Sequence, residues 1–277
     1  MINGRTELIA HLGYPTETFT APMIYNPWFA LHGVNAVVVP MGVRAEDYAA
    51  FLRPLFRLSN IRGALVTMPH KVATVALLDD ASLAVQVAGS CNAILRRPDG
   101  SLHGDLFDGI GFVRGAKRQG FEFTGADCLM VGAGGVGSAI AAAIAAQGPG
   151  SIALCDINAA AADGLAARLR EHFPSVPVTL RDNDPAGYRL VVNATPLGMS
   201  AGDPLPFDPT RLENDAFVGD VVLTAELSPL LKAVARRGHR YQVGTDMLFE
   251  QIPAYLEFFG YGTATPEELR AVSQISY

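Results

Sequence analysis

DCLMVGAGGVGSAIAAAIAAQGPGSIALCD, residues 127–156, decides how the rest of this 277-residue chain is read. It opens with a short apolar run, Cys128 to Val131. Three glycines follow at GxGxxG spacing: Gly132, Gly134 and Gly137. An alanine-rich segment runs from Ser138 to Gln147, and a second apolar run ends on Asp156. The order is strand, glycine turn, helix, strand. In such a unit the first glycine permits the tight turn and the second lets the backbone approach a pyrophosphate. The third brings the helix close to the strand, and the helix N-terminus offers N–H groups to the phosphates. A bare glycine triplet arises by chance in a chain with 28 glycines, so the flanking strands and helix carry the argument. The expected fold class is therefore α/β, with a doubly wound parallel sheet of the Rossmann type around this turn.

The turn implies a dinucleotide held by Gly132, Ala133, Gly134, Gly135, Val136 and Gly137. Asp156, with Ile157 beside it, lies 19 residues beyond Gly137, close to the ~20 at which an acid binds a ribose 2′-hydroxyl. A carboxylate there accepts a diol and repels a 2′-phosphate, and neither Arg nor Lys stands between Gly137 and Arg168. The residues therefore point to NAD in preference to NADP. The bland alternative for Asp156 is an ordinary strand-end aspartate.

Working outward, the length suggests two domains, either large enough for a core of its own. Hydrophobic residues make up 49% and charged residues 17%, and the net charge is −6 with no basic run. That combination suits a well-buried globular protein and argues against a nucleic-acid partner. No apolar span reaches 18 residues, and the first residues lack a signal-peptide layout, so a cytoplasmic chain without membrane contact is expected. Cys91, Cys128 and Cys155 are isolated and the histidines show no ligand spacing, so neither a disulfide set nor a metal is expected.

Ahead of the glycine turn, residues 7–13, 35–43 and 63–69 read as strands, with helices over 26–33 and 45–58. A turn or short helix is expected over 70–78 and a hairpin over 91–107. A helix over 108–119 leads into the dinucleotide unit. Beyond Asp156 come a helix (159–172), strands near 176–180, 189–193, 217–220 and 241–243, a helix over 229–237, and a helical end. The Pro/Gly/Asp-rich patch 198–209 reads as the longest loop.

Five local motifs then fall in order: GALVTMPHK, ending on Lys71; GSCNAI, with Asn92; GDLFDGIGF, with Asp108; VNATPLGM (192–199); and VGTDMLFEQ (243–251). In this order the chain resembles the shikimate dehydrogenase family of shikimate and quinate oxidoreductases, over nearly its whole length. The resemblance implies a substrate-binding domain from residues 1–108 plus 245–277 and an inserted Rossmann domain over 109–244, with the active site in the cleft. It implies Lys71 and Asp108 as the catalytic acid–base pair, and Thr67, Asn92 and Gln251 as contacts to substrate hydroxyls. It implies that Ala194, Thr195, Pro196, Leu197, Val222, Gly244, Met247 and Leu248 complete the cofactor site. A small-molecule substrate and a monomer or homodimer are expected. Alcohol oxidation independently requires a base for the hydroxyl proton as hydride leaves, a role open to lysine. Read locally, Lys71 would be a solvated helix-start lysine and Asp108 a helix cap.

The chain departs from the family at one end of the substrate. Where the family carries Ser-x-Ser-Pro, whose hydroxyls hold the substrate carboxylate, this chain has Phe19-Thr20-Ala21-Pro22. Two hydroxyl donors become Phe19 and Ala21, which costs carboxylate binding roughly 1.5–3 kcal/mol for each lost charged hydrogen bond. Leu65 replaces an Asn, Leu106 and Phe107 a polar pair, and Leu223 a Tyr. The expected activity is hydride transfer between nicotinamide and a hydroxyl or keto group of a cyclic polyol acid such as shikimate or quinate, or a relative. A non-catalytic dinucleotide sensor of the same fold is the alternative.

Overall fold

The computed structural model describes residues 2–200, 202–223 and 227–275. The chain divides into two compact units, Met1–Phe107 with Ile252–Tyr277, and Asp108–Gln251.

In the first unit, β1 (Glu7–Gly13), β2 (Ala36–Gly42), β3 (Ile61–Val66), β4 (Asp80–Ala81), β5 (Ala93–Arg96) and β6 (Leu102–Asp105) form one sheet in the order β2-β1-β3-β5-β6-β4. The strands β2, β1 and β3 are parallel, and the β5–β6 hairpin adds antiparallel to β3. The first helix, α1 (Pro22–Leu31), starts four residues before the expected Asn26. Proline supplies the fixed φ of a first helical position and lacks only an N–H that would have no partner there. Asn26, inside the helix, instead clamps β2: its amide donates to the Val38 carbonyl (3.0 Å) and its carbonyl accepts the Val38 N–H (2.8 Å). The helix α2 (Ala45–Leu55) buries Tyr48, Leu52 and Leu55. The segment after β3 holds only a five-residue helix, α3 (Lys71–Val75). The helix α4 (Leu83–Ala88), capped by Ser82, was not legible in the sequence.

The second unit carries β7 (Asp127–Val131), β8 (Ser151–Cys155), β9 (Val178–Leu180), β10 (Leu190–Asn193), β11 (Phe217–Asp220) and β12 (Arg240–Gln242). Their order is β12-β11-β10-β7-β8-β9, and every neighbouring pair is parallel. Numbered within the unit this is 3-2-1-4-5-6, the doubly wound arrangement whose direction reverses between β7 and β10. The helices α5 (Asp108–Arg118), α6 (Gly135–Ala145), α7 (Ala159–His172) and α8 (Pro229–Arg236) flank the sheet. One core joins Leu129, Val131, Val191 and Val218 of the strands to Leu230, Leu231 and Val234 of α8. The helices α5 and α6 approach closely because Gly109 has no side chain: a Cβ there would lie 2.2 Å from the Ala139 carbonyl oxygen. The unit ends at Gln251, inside α9 (Gly244–Phe259). The last helix is α10 (Pro266–Val272), closed at its start by a Thr265–Glu268 capping box.

Among the described residues no helix is long and apolar enough to cross a membrane, and no group of His, Cys, Asp and Glu is placed to hold a metal ion.

Candidate cofactor and substrate sites

Parallel strands deliver their loops to the carboxyl edge of the sheet, and the reversal between β7 and β10 opens a crevice there. The glycine turn follows β7. Gly132 sits at φ +107°, where a side chain is strained, and a Cβ on it would lie 2.7 Å from the Ala194 carbonyl carbon. Gly137 is packed as tightly: its Cβ would lie 2.1 Å from the Gly132 carbonyl oxygen and 3.2 Å from the Ala194 side chain. Gly134 is different, since a Cβ there would meet nothing within 4 Å. It is the N-cap of α6, and its lack of a side chain leaves the first turn of the helix with no side-chain cap. Two glycines are thus required by the protein itself, while the third faces open space at a helix N-terminus. That is the arrangement a pyrophosphate fits.

The loop after β10 is held from below by a buried polar cluster. Asn193 accepts the Thr195 hydroxyl (2.6 Å) and N–H (3.1 Å) on its carbonyl. Its amide donates to the Leu197 carbonyl (3.1 Å) and to Asp220 (3.0 Å). Asp220 also accepts the Ser228 hydroxyl and the Val222 N–H. Burial pushes the Asp220 carboxyl above its ordinary range, against the pull of Ser228, Val222 and Asn193. Ala194, Thr195, Pro196, Leu197 and Val222 are therefore placed by one network. Gly244 joins them, its missing Cβ leaving room for the Val222 carbonyl oxygen at 2.6 Å. Met247 and Leu248 follow in α9, where the Met247 carbonyl lies against Gly111 of α5. Asn193, Asp220 and Ser228 had no sequence signal beyond a polar residue at each strand end or helix start.

Asp156 follows β8 as expected, but its carboxylate is already engaged. One oxygen accepts the Ala133 N–H of the glycine turn (2.7 Å) and the other accepts the Asn158 N–H (2.7 Å). The residue ties two loops together. Ile157 beside it is fully exposed.

In the first unit the expected substrate residues gather at the ends of β3 and β5. Lys71 is the first residue of α3, and its carbonyl accepts the Cys91 N–H (2.8 Å). The Val66 N–H donates to the Asn92 carbonyl (2.8 Å), and the Thr67 N–H to the Leu12 carbonyl (2.9 Å). Asn92 is 1% exposed; its side-chain oxygen accepts the Phe107 N–H (3.0 Å), while its amide nitrogen has no partner among the described residues. Phe19 stacks on the ring of His11, centroids 4.1 Å apart, and Ala21 is the N-cap of α1. Leu106 and Phe107 are core residues, Phe107 lying edge-on to Tyr255 at 4.7 Å. Asp108 and Gln251 belong to the second unit, both buried, with the Gln251 side-chain oxygen lacking a partner among the described residues.

A family model described as the shikimate dehydrogenase substrate binding domain matches residues 12–94. The shikimate dehydrogenase (NADP(+)) of Rubrobacter xylanophilus is 36% identical over 254 residues, covering 90% of this chain and 89% of that protein. The chain belongs to the shikimate dehydrogenase family. The family member of Acidiphilium cryptum, also named shikimate dehydrogenase (NADP(+)), is 31% identical across 99% of this chain and 98% of its own. A shikimate 5-dehydrogenase from Listeria monocytogenes, crystallised with shikimate and NAD, superposes with a TM-score of 0.90 at 25% identity, over 98% of this chain and 97% of its own. The chain is accordingly an oxidoreductase of the family that acts on CH–OH groups.

One expectation is overturned. A preference for NAD over NADP, drawn from Asp156, does not stand against shikimate dehydrogenase relatives named for NADP(+). The physical reason is visible at Asp156: a carboxylate that accepts two backbone N–H groups is a loop tie, so its presence at that spacing does not report on the ribose.

Proposed function

We propose that this shikimate dehydrogenase family member transfers hydride between NADP(H) and a ring hydroxyl or ketone of a shikimate- or quinate-type cyclic polyol or a relative, with Lys71 and Asp108 as its acid–base pair. The observation that carries the cofactor half is the contrast within the glycine turn, where Gly132 and Gly137 are packed against backbone and Gly134 faces open space. When bound, NADP(H) would supply the hydride acceptor or donor. The residues of the chain then manage the proton: Lys71 takes it from the hydroxyl oxygen as the carbon loses hydride, and in reverse returns it to the ketone oxygen. Asp108 orients the lysine and the reacting hydroxyl. Thr67, Asn92 and Gln251 hold the remaining hydroxyls, and the Asn92 amide, without a partner among the described residues, supports this because a buried donor is costly unless a ligand engages it.

The test is NADPH formation with shikimate, quinate and uncharged relatives, in parallel with NAD, for the wild type and Lys71→Ala. Turnover with NADP that drops at least a hundredfold in Lys71→Ala supports the reading. No turnover on the whole panel, or a Lys71→Ala enzyme as fast as the wild type, would sink it.

A further inference from the structure

The substrate end of the first unit has an unusual lining for a site that grips an acid. His11 and Leu65 are directly paired in neighbouring parallel strands, so their side chains share one face of the sheet. Gly13 and Thr67 continue the same two chains toward the carboxyl edge, where α/β sheets bind ligands. The Phe19 ring covers this corner. It stacks on His11 at 4.1 Å and 27°, and a Cβ on Gly13 would lie 2.7 Å from its Cζ and 2.5 Å from the Thr67 methyl. The ring is therefore wedged flat against the strand ends, with part of its surface left exposed.

A carboxylate needs N–H or O–H donors, and a cation is better still. The corner supplies Phe19 and Leu65, neither with a polar side-chain atom, and Thr67 with one neutral hydroxyl. His11 is 9% exposed, its Nδ1 has no partner among the described residues, and burial followed by the charge of Lys71 holds its pKa down to about 4. The imidazole is thus neutral near pH 7. Arg44 lies over the Tyr14 ring at 4.9 Å. Lys71 is the group that the reaction itself requires. The neutral donors, the Thr67 hydroxyl at this corner and the Asn92 amide, suit hydroxyls.

We infer that Phe19, held in place by His11, is a specificity-determining residue, and that the preferred substrate is an uncharged polyhydroxylated ring that lays a C–H face on Phe19 where an acid would place its carboxylate. Aromatic faces accept such apolar surface readily and reject an unpaired anion. His11 is a positioning residue for the ring. The inference rests on the oxidoreductase reading above and narrows its substrate class.

The experiment compares shikimate and quinate with their counterparts in which hydroxymethyl replaces the carboxylate, by NADP-linked turnover and by calorimetric binding to the cofactor-loaded protein. Wild type, Phe19→Leu and Phe19→Ser are measured side by side. The expected result is a wild-type kcat/KM at least tenfold higher for the uncharged compounds. Phe19→Leu should keep that preference, and Phe19→Ser should shrink it at least tenfold. A wild type that prefers the carboxylates overturns the inference and leaves the oxidoreductase reading intact; so does an unchanged ratio in a folded Phe19→Ser. Failure of every compound to bind or react, with NADP still bound, overturns the oxidoreductase reading and this inference together.

Discussion

The side-chain amide of Asn193 donates to the Asp220 carboxylate at 3.0 Å, and this bond links the ends of two adjacent strands under the 194–197 loop. Asp220 is 2% exposed and gathers three donors, from Asn193, Val222 and Ser228. Asp220→Ala leaves all three without their acceptor and should cost about 2–3 kcal/mol of stability. If the loop carries the proposed cofactor contacts, the KM for NADP should rise about tenfold while kcat changes less. Denaturant melts and steady-state kinetics check the two effects separately.

Gly134 and Gly137 should respond oppositely to the same methyl group. Gly137→Ala places a Cβ 2.1 Å from the Gly132 carbonyl oxygen, a backbone atom that cannot rotate away. A loss of roughly 2–4 kcal/mol is expected. Gly134→Ala meets nothing within 4 Å, so stability should hold. Under the proposed reading its NADP affinity should nonetheless fall at least tenfold, since the methyl would enter the open space proposed for the phosphates. A Gly134→Ala protein that binds NADP normally would show that the open space serves something else.

His11 should make the fold acid-sensitive before the carboxylates do. Its imidazole takes a proton near 6.5 when unfolded and only near about 4 when folded. Between those values the unfolded state binds the extra proton, so stability falls as pH drops through that window and levels off below it. The full effect is about 3 kcal/mol. Asp79, held down to about 2 by Arg53 and the Leu102 N–H, loses its contribution only at more acid pH. Burial also lowers His70 despite the Val43 carbonyl, so the comparison must be between the wild type and His11→Val. Urea melts at several pH values between 7 and 4 should show a shallower slope in the variant.

Lys71→Met keeps most of the side-chain length and removes the proton-transfer group. If Lys71 handles the hydroxyl proton, kcat should fall by a factor of about 10² to 10⁴ with NADP binding unchanged. Loss of cofactor affinity instead would assign Lys71 a different task.

The parts of the fold that could be read in the sequence are those written by local rules. The glycines of 132–137 sit between two apolar runs, and both β7 and β8 lie where those runs place them. The helix α7 occupies residues 159–172, as expected from the sequence. What stayed hidden depends on partners far along the chain. Nothing local marks Leu83–Ala88 as a helix, because six residues are too few for a period to show. Pro22 starts α1 ahead of the expected Asn26, whose side chain is taken by β2. The Asn193–Asp220–Ser228 cluster joins residues 27 and 8 positions apart, and its members look like ordinary polar punctuation. The spacing from Gly137 to Asp156 was legible, but the two N–H groups that occupy its carboxylate were not.

That occupied carboxylate sets a limit on redesign. A library that varies Asp156 to recode cofactor choice would also cut the tie from Ala133 to Asn158. Winners of such a selection would be filtered for folding as much as for coenzyme discrimination. Changes at the exposed neighbour Ile157, which leave that tie in place, offer a cleaner starting point.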